Sequence, residues 1–218
     1  MCAAFALAVT ACGHSTKKAV VALQPAVLAQ LALSPLDAGD GYTVQSERYL
    51  DEQGNTASGV TDEFVRQLQL TAPPAENAPV ATHILVSLSE TGVDQAAEFI
   101  DAADDPDVGP PNLEAYIQAQ VAGSHDVHAE LVDDFPQVGD DSVANRLTWH
   151  SDVDGDDVTW DSYAVYVRSG GLLALVAARA ADTGHGEPDT LRHEAEELAR
   201  KQADKLRAGH PATAVATR

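Results

Sequence analysis

Cysteine is almost missing from this chain: Cys2 and Cys12 are the two present in 218 residues. Beyond residue 12 nothing can form a disulfide, hold a metal through a thiolate or act as a cysteine nucleophile. Basic side chains are also scarce. Against 34 Asp and Glu there are 13 Lys and Arg, which gives a formal charge of -21. A charge of that sign repels phosphate backbones and anionic surfaces, so nucleic acid is not an expected partner. Apolar runs are short, and the one from Ala3 to Ala11 cannot span a bilayer.

Catalytic signatures are missing too. The chain has no G-x-S-x-G elbow, P-loop, dinucleotide-binding glycine fingerprint or H-E-x-x-H. Ser169-Gly170-Gly171 follows a strand pattern but leads into another apolar strand, whereas a nucleophile elbow turns into a helix. With 34 acidic residues, any carboxylate pair is possible and none is specific. The expectation is a non-enzymatic binding or sensing module without a cofactor, taking a small apolar ligand or a protein partner. The rival is a hydrolase whose site is assembled from scattered Asp, Glu and His. A third reading is a Ca²⁺-dependent surface protein.

The N-terminal segment carries an address. An apolar run followed by small residues resembles the end of a secretory signal. Val9-Thr10-Ala11-Cys12-Gly13 looks like a bacterial lipobox, in which the cysteine becomes the first mature residue and carries a diacylglyceryl thioether. No Lys or Arg precedes the run, so the basic part of the signal is expected upstream of Met1. Residues 1–12 are thus read as a signal segment and 13–25 as a tether. A single α+β domain is expected over 26–209, with a loose tail over 210–218. Cys12 would anchor it to the outer face of the cell membrane.

The domain reads as strands mixed with helices. Trp160 to Arg168 alternates apolar and polar residues with period two, the mark of a strand with one buried face. Gly170 and Gly171 permit a reversal, and Leu172 to Ala178 is apolar on both faces, as in a central strand. This hairpin is expected to nucleate the core, with Leu175 under the last helix. Thr82 to Ser89 is a clear strand, with Ile84, Val86 and Leu88 inward and His83 on the other face as a surface histidine. Phe64 to Thr71 is ambiguous, and a strand is preferred. An extended segment begins at Tyr42. Helices are expected after Pro25, ended by Pro35, and around Val93 to Ile100 with Thr91 as a possible N-cap. Leu113, Tyr116, Ile117, Gln120 and Val121 mark another, closed by Gly123. Val127 to Phe135 reads as a strand. From Leu191 to Leu206 runs the clearest helix, its inner stripe Leu191, Ala195, Leu198, Ala199, Gln202 and Leu206. Glu196 with Arg200, and Glu197 with Lys201, are acid-first pairs on its outer face.

Two polar clusters invite a metal reading. Val143 to Trp149 and Val158 to Val167 are expected to pair across an acidic loop holding Asp152, Asp154, Asp156 and Asp157. Four carboxylates could supply the hard oxygens that Ca²⁺ prefers. EF-hand spacing fails, because Gly155 falls at position 4 and Tyr163 stands where a bidentate Glu is required. A hairpin turn at Asp154-Gly155 is therefore favoured, with Ca²⁺ as the alternative. His125 and His128 lie three apart without a third ligand in the sequence nearby, which disfavours zinc.

Phe135-Pro136-Gln137-Val138-Gly139-Asp140-Asp141, followed by a strand and then Arg168-Ser169-Gly170-Gly171-Leu172-Leu173, resembles the sensor-like domains of actinobacterial cell-surface lipoproteins and kinase ectodomains. Leu33-Ser34-Pro35-Leu36-Asp37 through Gly41-Tyr42 is similar to their opening element. Asp141 stands where Glu is usual, and Gly171 where Asn is usual. The resemblance implies an α+β fold with a curved antiparallel sheet, of about five to six strands, packed by helices that include a long C-terminal one. It implies no catalytic residues.

Overall fold

The structure, a computed structural model, describes residues 25–50, 62–71, 83–91, 93–181 and 188–209. The Cys12 lipobox, most of the tether and the C-terminal tail lie outside these residues. In chain order the elements are α1 (Pro25–Leu31), α2 (Pro35–Ala38), β1 (Tyr42–Leu50), β2 (Asp62–Leu70), β3 (His83–Glu90), α3 (Val93–Asp104), α4 (Gly109–Gln120), β4 (His125–Leu131), β5 (Asp141–Val153), β6 (Asp156–Ser169), β7 (Leu172–Ala181) and α5 (Pro188–Gly209). No described helix is long and apolar enough to cross a membrane.

All strands pair antiparallel in one open sheet of order β1-β2-β3-β7-β6-β5-β4. The order follows from two meanders. β1 to β3 run side by side, α3 and α4 carry the chain to the far edge, and β4 to β7 return until β7 meets β3. The sheet has seven strands, not the five to six expected. Both uncertain segments, the extended one at Tyr42 and the ambiguous one at Phe64, pair as the β1–β2 ribbon, with a bulge between Val44 and Ser46. The strand expected over Val127 to Phe135 starts earlier and ends at Leu131, where the chain turns before Pro136.

Helices cover both faces. One core joins α1, α5 and the side chains of Phe64, Leu68, Ile84, Val86, Leu88, Val165, Val167 and Val176. The other joins α3, α4, Val143, Leu147, Trp149, Ala164, Tyr166, Leu173 and Leu175. β7 is therefore buried on both sides, Leu175 at 4% and Val176 at 0% exposure. The expectation that Leu175 lies under the last helix is corrected. Alternation puts Val176 beneath α5 and Leu175 beneath α3 and α4.

Several local expectations resolve in detail. Pro35 does not end a helix but opens α2, and Asp37 accepts from the Ser34 backbone N–H at 2.7 Å and the Ser34 hydroxyl at 2.6 Å. The Thr91 hydroxyl donates to the Gly171 carbonyl. Glu196 pairs with Arg200 as expected, but Glu197 faces His193, and Lys201 donates to the Asp37 carbonyl. Gln202 is wholly buried; its amide oxygen accepts from Leu33 N–H and its amide nitrogen donates to the Leu31 carbonyl. Arg66 donates to the Leu33, Ala32 and Ala29 carbonyls. The segment linking α1 to α2 is thus satisfied by side chains of α5 and β2.

The two motifs that carried the resemblance meet in space. Gly139 has φ +72, and a Cβ there would lie 2.5 Å from the Arg168 carbonyl oxygen, so only glycine fits. Asp140 donates its N–H to that carbonyl and accepts from the Gly170 N–H through its carboxylate at 2.7 Å. These residues join the loop before β5 to the β6–β7 turn.

Candidate functional site

The α4 face of the sheet is unevenly filled. Register places Gln67, Leu85, Ala177, Ala164 and Asn145 in one row across it. The next row holds Gln69, His83, Arg179, Ser162 and Leu147. At the centre, Ala177, Ala164 and Ser162 are small, while larger side chains flank them. α4 passes above with Tyr116, Ile117 and Gln120, followed by Val121 at its C-cap. A cavity of about 140 Å³ remains between helix and sheet. It lies on the face opposite α5.

Its walls are apolar on one side and polar on the other. Leu85, Ile117, Val121, Leu147 and Trp149 give the apolar part. Arg179 supplies a cation and lies 5.2 Å over the Trp160 ring. Burial pushes the Arg179 guanidinium pKa down, yet a guanidinium starts so high that it stays charged. Burial, with the Arg179 charge across the strand pair, pushes the His83 imidazole down to about 4. His83 is then neutral at pH 7, and it lines the cavity instead of standing on the surface as expected. Burial pushes Tyr116 up, so its hydroxyl remains a donor. No Asp or Glu is among the described lining residues, in a protein of charge -21.

The layer around this cavity also holds unmet polar atoms. The Trp149 indole nitrogen, the Tyr166 hydroxyl and both amide atoms of Asn145 are buried without a hydrogen bond among the described residues. Trp149 lines the cavity, and Asn145 is the register partner of Ala164 in its floor. Buried polar groups are seldom left unpaired, so each marks a place for a further partner. Ser162 and His83 do not form a nucleophile and base. They stand on strands separated by β7, with Arg179 between them, roughly 10 Å apart on strand spacing.

No family model matches the chain, and no curated protein matches it. Among solved structures, the extracellular domain of PknH from Mycobacterium tuberculosis is similar, with a TM-score of 0.52. The chain shares its fold. Identity is 9%, over 85% of this chain and 97% of that one. LpqN, involved in cell envelope biogenesis of the same organism, aligns at a TM-score of 0.31 and 17% identity over 72% of this chain and 79% of that one.

The acidic loop is a tight hairpin. Asp154 and Gly155 make its two-residue turn with φ of +57 and +93. Asp152, Asp154, Asp156 and Asp157 are all exposed, and Asp152 accepts from the Gly155 N–H at 2.9 Å. The four carboxylates do not gather into one group. Among the described residues, the group whose ligand atoms all lie within 4.8 Å of one another is His125, His150 and Asp157. The pair read from the sequence, His125 and His128, is split, since His128 turns to Glu114 at 3.5 Å. A second cavity of about 280 Å³ lies beside β4 and β5, lined in part by Asp101, Asp104, Asp133 and Asp141. It has the opposite charge character to the first.

Proposed function

We propose that this chain is a non-enzymatic, extracytoplasmic binding module of a bacterial envelope lipoprotein, anchored through Cys12, that takes a small organic acid in the cavity beneath α4. One observation carries the ligand class: a cavity with no carboxylate among its described lining residues, holding Arg179, in a protein with a large acidic excess. Arg179 would pair the acid group, Trp149 would offer its unmet N–H, and the apolar wall would take the hydrocarbon part. The volume suits an occupant of about benzene size, since a dry cavity of about 150 Å³ holds benzene. The shared fold with the extracellular domain of PknH supports the α+β scaffold on which this reading rests. A serine-histidine hydrolase at this cavity is disfavoured by the separation of Ser162 from His83 by a whole strand.

Benzoate and benzamide test it, because they match in shape and differ in charge. Titration followed by amide NMR should show saturable benzoate shifts around Ala164, Ala177 and α4, weaker shifts with benzamide, and loss of the difference in Arg179→Met. Equal response to the two compounds, or unchanged benzoate binding in Arg179→Met, would remove the anion-binding reading.

A further inference from the structure

From the His125, His150 and Asp157 side chains at the open end of the sheet, we infer a second site, for a borderline divalent transition metal such as Zn²⁺. It lies away from the cavity, where β4 meets the β5–β6 hairpin. His125 is the register partner of His150 across the β4–β5 pair. Asp157 follows the Asp154-Gly155 turn, one diagonal step from His150. All three therefore project from one face of the sheet.

The distances approach those of a coordination shell. Asp157 Oδ2 lies 3.2 Å from His150 Nδ1, and Asp157 Oδ1 lies 3.6 Å from His125 Nε2. Ligand atoms on a tetrahedral zinc with bonds of 2.0–2.1 Å are about 3.4 Å apart. The two contacts run to different oxygens of the one carboxylate, and a set with a single ligand atom from each residue lies within 4.8 Å of one another. The two imidazoles are tilted, with centroids 5.5 Å apart, and side-chain rotations on a bound ion would draw the three ligand atoms together.

The backbone is shaped to deliver His125. Gly123 at φ +75 and Asp126 at φ +49 flank it, and the β4–β5 register shifts between His125 and His128. Such a bulge re-aims a side chain. A second observation concerns the ring itself. His125 Nδ1 lies 3.2 Å from the Gly123 carbonyl oxygen. Donation from Nδ1–H to that carbonyl leaves the Nε2 lone pair facing Asp157. Metal-bound histidines are oriented in this way, by a carbonyl on the other ring nitrogen.

The ligand set selects the ion. Two imidazole nitrogens and one carboxylate suit Zn²⁺, Ni²⁺ or Cu²⁺, whereas Ca²⁺ and Mg²⁺ require more oxygens. Three protein ligands leave a coordination position open, as at zinc sites that bind a further group. A bound ion would also clamp the edge strand β4 to the β5–β6 hairpin.

Isothermal titration of the purified protein with Zn²⁺ at neutral pH tests the site, alongside imidazole ¹⁵N NMR. The expected result is one saturable site with shifts at His125 Nε2 and His150 Nδ1. His125→Ala and His150→Ala should each weaken it by at least about 10- to 100-fold, the loss typical of even an outer-shell partner. His128→Ala should leave it unchanged. Zn²⁺ binding of equal strength in the His125→Ala/His150→Ala double variant would overturn the assignment, as would the absence of saturable binding to the parent protein. A stronger effect of His128→Ala than of His150→Ala would also overturn it.

Discussion

At the scale of single residues, charge and burial decide what each group can do. His83 illustrates this through linkage. In the unfolded chain its imidazole takes a proton near pH 6.5, while in the fold burial and Arg179 delay protonation to about pH 4. Between those values the unfolded state holds more protons, so stability is complete above pH 6.5 and falls as pH drops toward 4. The ring is partly exposed, and screening reduces the effect to about 1–2 kcal/mol. Urea denaturation at pH 7 and pH 4.5 should show a smaller drop in His83→Gln than in the parent. An equal drop in both would mean that His83 is not the group responsible. The sequence marked His83 only as the outward residue of a strand, because period two tells which face a side chain takes but not what covers that face. The same limit hid the grouping of His125 and Asp157, which the sequence placed in two different clusters, with His150. They come together by strand register, which spacing along the chain does not express.

At the scale of elements, periodicity was a better guide. The β6–β7 pairing, the Gly170-Gly171 reversal and the inner stripe of α5 are as their patterns require, but β6, expected to bury one face, is buried on both, with Val165 and Val167 toward α5 and Ala164 and Tyr166 toward α3 and α4. What escaped was orientation. An unbroken apolar strand announces cover on both faces without saying which helix covers which. The structure assigns Val176 to the α5 side and Leu175 to the α3–α4 side. Leu175→Ala should therefore cost about 2–5 kcal/mol, and Val176→Ala roughly 2–3 kcal/mol from lost methyl groups and the hole they leave. Chemical denaturation of both variants checks this. One near-neutral substitution would mean that the helices leave that face of β7 open. The cavity was illegible for a related reason. It exists because Ala164 and Ser162 on β6 and Ala177 on β7 are small where the two strands align beneath α4, and smallness within a strand reads in sequence as ordinary packing.

At the scale of the whole molecule, the acidic body and the proposed anchor act in opposite directions. A charge of -21 is repelled by an anionic leaflet, so electrostatics cannot hold this domain at a membrane. A covalent diacylglyceryl group could, because each buried CH₂ contributes about 0.8 kcal/mol and two chains give the stable attachment that one does not. The two contributions respond differently to salt. Electrostatic adsorption weakens as ions screen it, whereas burial of lipid chains does not. Expressed behind a complete secretion signal, the parent protein should stay with the membrane fraction through a high-salt wash and leave it in detergent. Cys12→Ser should appear in the soluble extracytoplasmic fraction without any wash. Membrane retention of the Cys12→Ser protein would show that another segment holds it, and release of the parent by salt would show that charge, not lipid, provides the attachment.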